Sequence, residues 1–361
     1  MKRRVLHFVT GGFSGATQVA LTLARAARDS DQQQATLVLR HKRQTDRAHV
    51  EALRQEGLDV HVVPGWSHLA TIAALVLLCR RLRPDVLVAH GFSEHLWGRY
   101  AGLIASVPAL VQVEHNSRER YGRWRLAQAR WLAKFTARIV AVSEGVRQAL
   151  LARGFSPQQV VAIPNGIALS PFEAADAHPW RKRVPGIVMA ARFSRQKDHA
   201  TLLHALALLR ARGLQPPLLL AGAGSARHRA EAEALVQRLG LQAQVRFLGH
   251  TPELPQLLMQ HQVCALSTHY EGMPLALVEG MAAGCAVIGS AVPGVQELIS
   301  DGVNGRLAPE GDATAWADAL QALLCEPERS ERMAAHARAE ARQRYSVQRM
   351  TADYHALLAA L

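Results

Sequence analysis

Short apolar runs of strand length alternate with longer amphipathic stretches of helix length from one end of the chain to the other, and this alternation limits the fold more than any other feature. In the first half the runs are residues 5–10, 35–39, 60–63, 86–90, 109–114 and 139–142. They are apolar almost throughout, as strands covered on both faces must be, and a strand–helix order of this kind implies a parallel sheet. Turn chemistry at Pro164, Asn165 and Gly166, followed by Pro171, Pro179 and Pro185, places a linker near 168–184. A second alternation follows, with runs at 187–191, 218–221, 245–248, 263–267, 286–290 and 305–308, and helix signals close the chain at 313–325, 329–344 and 347–361. A length of 361 residues is long for one core. The expected fold is therefore α/β, with doubly wound parallel-sheet domains over 1–168 and 184–345 and a last helix over 346–361 packing back on the first. Ligands of such sheets sit beyond the carboxyl ends of the strands, so the natural site is a deep cleft between the two domains.

The chain carries 42 Lys and Arg against 29 Asp and Glu, a formal net charge of +13. That balance favours anionic partners: nucleotide phosphates, acidic lipid headgroups or nucleic acid. An arginine-rich surface gives the same number with no partner. Cys79, Cys264, Cys285 and Cys325 lie far apart, without C-x-x-C spacing, and read as four buried thiols in a reducing cytosol. The apolar run at 5–9 contains His7 and is too short for a signal-peptide core. The run at 69–79 falls short of the roughly 20 residues that span a bilayer and reads as a buried core helix. The expected location is cytoplasmic, peripheral at most at the inner membrane face.

The first strand ends in Gly11-Gly12-Phe13-Ser14-Gly15 and leads into a helix. Glycines at such a turn let backbone N–H groups approach a phosphate, which the helix dipole also favours. The dinucleotide G-x-G-x-x-G spacing is missing, which counts against a dehydrogenase. After the first strand of the second half, Arg192, Arg195 and Lys197 bring cations to a strand end, where a diphosphate or solvent would meet them. The densest signal runs from Ser267 through Glu271 and Pro274 to Glu279. Pro274 suits the first turn of a helix, so one carboxylate precedes the helix and the other lies inside it. That layout suits a nucleotide sugar, with one carboxylate for sugar hydroxyls, backbone N–H groups for the diphosphate and the second carboxylate for a ribose. Asp29-Ser30-Asp31 has the letters of a metal motif but follows a helix in a Gln-rich turn, so no metal is expected. Arg118, Arg120, Arg123, Arg125, Arg130, Lys134 and Arg138 face Glu119 alone and interleave with Trp124, Trp131, Leu132 and Phe135. This is either a basic amphipathic surface for an anionic bilayer or a helix whose aromatics pack inside.

Taken together, Gly15 with the helix after it, Arg83-Pro84-Asp85, Val142-Ser143, Pro164-Asn165-Gly166, Arg192 with Lys197, Gly222-x-Gly224, Phe247-Leu248-Gly249, the stretch from Glu271 to Glu279 and Pro293-Gly294-Val295-Gln296-Glu297 resemble family 4 of the retaining glycosyltransferases over nearly the whole chain. The resemblance implies two facing Rossmann-like domains of the kind called GT-B. It also implies that Arg192 and Lys197 bind the donor diphosphate, Glu271 the transferred sugar and Glu279 the ribose. His115 matches the histidine beside the donor sugar, and Leu248 and Gly249 lie where the base is met. Gly12, Gly15, Asn165, Gly222, Gly272, Met273, Pro274 and Leu275 complete the implied donor-contacting set.

The reading that results is transfer of a hexose or N-acetylhexosamine, with retention, from a nucleotide diphosphate sugar, most readily a UDP-sugar. The acceptor is a glycan or lipid-linked molecule, as in lipopolysaccharide or other cell-surface polysaccharide synthesis. No cofactor and no nucleic-acid partner are expected, and an anionic membrane surface is a partner only on the first of the two readings of the basic stretch. The rivals are a sugar-nucleotide epimerase of the same architecture, which would act without an acceptor, and a basic nucleic-acid-binding protein, although no nucleic-acid motif is present.

Overall fold

The computed structural model describes residues 2–13, 15–43, 45–116 and 121–361, with Phe92 described by its backbone alone. The chain forms two compact units, Met1–Asn165 together with Val347–Leu361, and Gly166–Ser346.

In the first unit the elements follow as β1 (Arg3–Thr10), α1 (Gly15–Arg28), β2 (Gln33–Arg40), α2 (Arg47–Gln55), β3 (Asp59–Val63), α3 (His68–Leu82), β4 (Val86–His90), α4 (Phe92–Ile104), β5 (Ala109–Glu114), α5 (Arg123–Ala133), β6 (Arg138–Ala141), α6 (Glu144–Ala152) and β7 (Val160–Ala162). The strands form one parallel sheet in the order β3-β2-β1-β4-β5-β6-β7. Leu6, Phe8, Leu87 and Ala89 bury one face beneath the helix layer that includes Leu75 and Cys79, while Val9, Leu37 and Leu39 bury the other with Ala20, Leu21 and Ala24. Two-sided burial is why these strands read as unbroken apolar runs.

The second unit runs through β8 (Val184–Ala190), α7 (His199–Ala211), β9 (Leu218–Ala221), α8 (Ala226–Leu239), β10 (Val245–Gly249), α9 (Leu254–Gln260), β11 (His261–Leu266), α10 (Leu275–Ala282), β12 (Ala286–Ser290), α11 (Pro293–Gln296), β13 (Arg306–Ala308), α12 (Ala313–Cys325) and α13 (Pro327–Arg344). Its parallel sheet has the order β10-β9-β8-β11-β12-β13. The last helix, α14 (Val347–Ala359), belongs to the first unit, where Met350, Tyr354 and Leu358 are buried and the Arg3 guanidinium donates to the Leu358 carbonyl. In each sheet strand order reverses beside the first strand, between β1 and β4 and between β8 and β11. These are the switch points where doubly wound sheets hold ligands.

Three sequence expectations change. Residues 168–184 are not a free linker but pack as 3₁₀ turns on the second unit, where Phe172 and Trp180 are buried and the Trp180 indole donates to the Gln262 carbonyl at 2.9 Å. Helix α3 is not buried all round: Leu69 and Leu77 are 80% and 68% exposed, while Leu75, Val76 and Cys79 face the core. Cys325 is exposed, whereas Cys79, Cys264 and Cys285 are buried. No helix among the described residues is long and apolar enough to cross a membrane.

Candidate active site

At the carboxyl end of β8, residues 192–198 lie against the loop that leaves β11. Lys197 bridges Thr268 in antiparallel fashion, the His269 N–H donates to the Gln196 carbonyl at 2.9 Å, and the Gln196 amide donates to the Tyr270 carbonyl at 2.7 Å. The Ser267 hydroxyl adds a bond to the Asp198 carbonyl at 2.7 Å. The two loops that sequence reasoning treated apart are thus one structure. It closes on an ion pair between the Lys197 ammonium and the Glu271 carboxylate, which also accepts from the Thr268 hydroxyl at 2.8 Å. The lysine and glutamate side chains are 14% and 8% exposed, so this pair is poorly screened. Arg192, two residues past the end of β8, is exposed.

Two more residues hold this arrangement: His199, not singled out from the sequence, and Gly294, noted there only within the motif from Pro293 to Glu297. His199 lies in the first turn of α7, contacts the Lys197 carbonyl through Nδ1 at 3.1 Å and stacks on Phe193, with ring centroids 4.4 Å apart. Burial pushes its imidazole down to about 4, so the ring is neutral and Nδ1 carries the donated proton. Gly294, in α11, has the backbone of the Glu271 loop against it. A methyl there would sit 2.4 Å from the Gly272 carbonyl oxygen and 2.7 Å from that of Glu271. No side chain other than that of glycine leaves the loop in place.

Gly272 and Met273 lead into Pro274, which precedes α10, and no side chain caps that helix. Leu275 is its first residue, and its leading N–H groups have no partner within the helix, so the end favours an anion. Glu279 is the fifth residue of the helix, and its carboxyl has no hydrogen-bond or ion-pair partner among the described residues. Burial pushes its carboxyl up to about 7. The folded chain therefore holds a proton that the unfolded chain releases at its ordinary value of 4.5, and this contribution to stability is lost as pH rises from there through about 7. We expect Glu279→Gln to gain stability over the wild type at pH 8 by on the order of 2–3 kcal/mol, and by much less at pH 4.5. Chemical denaturation of both proteins at the two pH values checks this, and a constant gap would contradict it.

On the other side of β8, Gly222 holds φ +150° and lies so close to the Ala191 carbonyl that a Cβ would be 2.2 Å from it. Its N–H donates to the Gly249 carbonyl at 2.6 Å. The register of β10 shifts between Phe247 and Gly249, so Leu248 stands out of the ladder with 36% of its surface exposed. The structure thus gathers Arg192, Lys197, Gly222, Leu248, Gly249, Glu271 to Leu275 and Glu279 at one edge of the second sheet.

In the first unit, Gly12 and Gly15 flank the turn from β1 to α1, which the Thr17 hydroxyl ties to the Thr10 carbonyl at 2.9 Å. Ser14 of that turn lies outside the described residues. His115 follows β5 at the same sheet edge, with its Nε2 3.4 Å from Nδ1 of His90. Asn165 is buried after β7, at the end of this unit. Near the ends of β2 and α4, Arg40 pairs with Glu94 at 3.3 Å, both side chains being 6% exposed, a charge pair that sequence spacing did not reveal.

Comparison with known proteins bears on what this edge does. The glycosyltransferase family 4 model matches residues 13–170, and the glycosyl transferases group 1 model matches 172–340. The chain belongs to the family 4 glycosyltransferases. It is similar to the putative glycosyltransferase EpsF of Bacillus subtilis, 28% identical over 88% of this chain and 87% of that one. It also resembles the UDP-Gal:alpha-D-GlcNAc-diphosphoundecaprenol alpha-1,3-galactosyltransferase of Escherichia coli, 22% identical over 70% of this chain and 69% of that one. Among solved structures, Anabaena HepE in complex with UDP and glucose superposes with a TM-score of 0.86 at 23% identity, covering 99% of this chain and all of the other. This fold is that of the GT-B glycosyltransferases, and the family 4 enzyme described here is a glycosyltransferase that uses nucleotide sugars; neither rival reading is favoured.

Proposed function

We propose that this glycosyltransferase moves a hexose or N-acetylhexosamine from UDP to a lipid-linked or other glycan acceptor, with retention at the anomeric carbon and without a metal. The observation that carries the reading is the joined Lys197–Glu271 loop pair beside the uncapped start of α10, with partnerless Glu279 one turn further on. An ammonium and a helix amino end can receive a diphosphate, Glu271 sugar hydroxyls, and Glu279 the two hydroxyls of a ribose. Gly12, Gly15, His115 and Asn165 are assigned to the donor by the family resemblance alone. The UDP in HepE and the UDP-galactose of the Escherichia coli relative support uridine as the base. Asp29 and Asp31 pair with Arg28 and Lys2 at the opposite edge of the first sheet, which supports charge neutralisation by Arg192, Lys197 and α10 instead of a metal.

The test is incubation with UDP-hexoses and a polyprenyl diphosphate-linked sugar, in EDTA, with the product linkage read by NMR. We expect turnover and an α-linked product from an α-linked donor. An inverted linkage would overturn retention, and loss of turnover restored by Mg²⁺ or Mn²⁺ would overturn metal independence.

An anionic membrane surface fits helix α5. Trp124 is 84% exposed, and Trp131 and Phe135 are 44% and 46% exposed, so these aromatics do not pack inside; only Leu132 does. Arg118 and Arg120 of the same basic stretch lie outside the described residues. Replacing Arg123, Arg125, Arg130 and Lys134 with Gln is expected to weaken binding to phosphatidylserine vesicles, at about 1 kcal/mol per charge. Sedimentation with vesicles measures it, and unchanged binding would remove the membrane from the account.

A further inference from the structure

His7, His90 and His115 stand on three neighbouring strands or their ends, β1, β4 and β5, each a step nearer the carboxyl edge of the first sheet. Cross-strand pairing of His7 with Val88 and of His90 with Val113, together with the two-residue period of a strand, puts all three rings on one face. Nδ1 of His7 is 3.1 Å from Nε2 of His90, and Nδ1 of His90 is 3.4 Å from Nε2 of His115. His7 and His90 are 2% and 0% exposed. Nearby positions of these strands, Val5, Val9 and Val88, are filled with valine, which satisfies the core without any polar cost. Three imidazoles in a row are not needed for packing.

Each of the two contacts requires one N–H and one lone pair, so the position of the proton on one ring dictates it on the next. Burial pushes the His7 and His115 imidazoles down to about 4 and that of His90 well below its ordinary range, so the rings stay neutral and the coupling holds at physiological pH. At the outer end, Nε2 of His115 is engaged by His90, and Nδ1 is left to meet a ligand.

We propose that His90 and His7 are positioning residues that act on the donor sugar through His115, fixing its ring plane and the nitrogen that carries its proton. This rests on the assignment of His115 to the donor sugar. A contact made by a ring free to rotate loses the alignment that a fixed one keeps, and small misplacements of a reacting group cost up to about 10²-fold.

The experiment is a double-mutant cycle on kcat/KM for the nucleotide sugar, with ¹⁵N shifts of the histidines recorded on the same proteins. His90→Phe, which keeps the ring shape but neither nitrogen, is expected to lose about 10-fold to 10²-fold, and His90→Gln to recover part of it. His90→Phe added to His115→Ala is expected to cost nothing more. His7→Phe, one ring further back, should show the same pattern at smaller amplitude, and it stands in if His90→Phe does not fold. In the wild type the His115 nitrogens should report one tautomer, and in the His90 or His7 variant an average of two. Multiplicative losses in the cycle would overturn the proposal, as would His115 shifts that are averaged in the wild type or unmoved in the variant. If His115→Ala alone keeps full activity, the assignment of His115 to the sugar fails, and the nitrogen shifts still decide whether the chain orders its ring.

Discussion

Lys197→Ala is expected to lower kcat by about 10² to 10³, with a smaller effect on the KM for the donor. Negative charge grows on the diphosphate as the glycosidic bond to it breaks, so a cation already fixed there stabilises the transition state more than the ground state. Removal of one preorganised donor of this kind costs about 2.7–4 kcal/mol. The ammonium is held by Glu271, and the lysine backbone is held by Thr268 and His199, so the cation is ordered before it meets the diphosphate. The substitution also leaves Glu271 without its countercharge, and breaking a buried pair from one side can cost about 3–5 kcal/mol of stability. Thr268 still donates to the carboxylate, which lessens that cost. Steady-state kinetics well below the variant's melting temperature separate the two effects, and a folded Lys197→Ala enzyme with wild-type kcat would remove the lysine from the phosphate.

Glu271→Ala is expected to lower kcat by a similar factor and to weaken donor binding at the same time. This carboxylate is assigned to the transferred sugar, whose ring flattens and gains charge in the transition state, and it also anchors Lys197. Its loss therefore removes a contact made before and during reaction and, in addition, releases the ammonium from its fixed position. Glu271→Gln keeps the shape and the bond from Thr268 but not the charge, and should fall between the wild type and the alanine variant. Glu279→Ala should instead raise KM with kcat little changed, since a ribose contact is the same in ground and transition states. Kinetics of the three variants side by side check the division. Equal effects on kcat at 271 and 279 would mean that sugar and ribose have been assigned wrongly.

Much of this was legible in the sequence, for physical reasons that also mark the limit. Strands buried on both faces are apolar throughout, so β1, β4 and β11 announce themselves, and Pro274 signals the start of α10. Glu271 and Glu279 stood out because they flank that start. Which groups touch was not legible. Lys197 and Glu271 lie 74 positions apart, and only the adjacency of β8 and β11 brings them together. His7 reads as an oddity in an apolar run, because nothing local tells that β1 pairs with β4 in a register that sets it next to His90. Pro-rich residues 168–184 imitate a linker, whereas the burial of Trp180 decides that they pack. The exposed aromatics of α5 could not be assigned to surface or core from periodicity, since an amphipathic helix shows the same spacing in either role.

The central claim is that the edge of the second sheet formed by Lys197, Glu271 and Glu279 binds a nucleotide diphosphate sugar. Thermal unfolding of the wild type and of Glu279→Ala across a panel of nucleotide sugars tests it most directly. A ligand that binds only the native state stabilises it by about 2.7 kcal/mol at a hundredfold excess over Kd. The account predicts that UDP-sugars raise the melting temperature of the wild type and that the shift shrinks in Glu279→Ala at the same ligand concentration. A wild type unmoved by every nucleotide sugar, or a shift of equal size in both proteins, would contradict it.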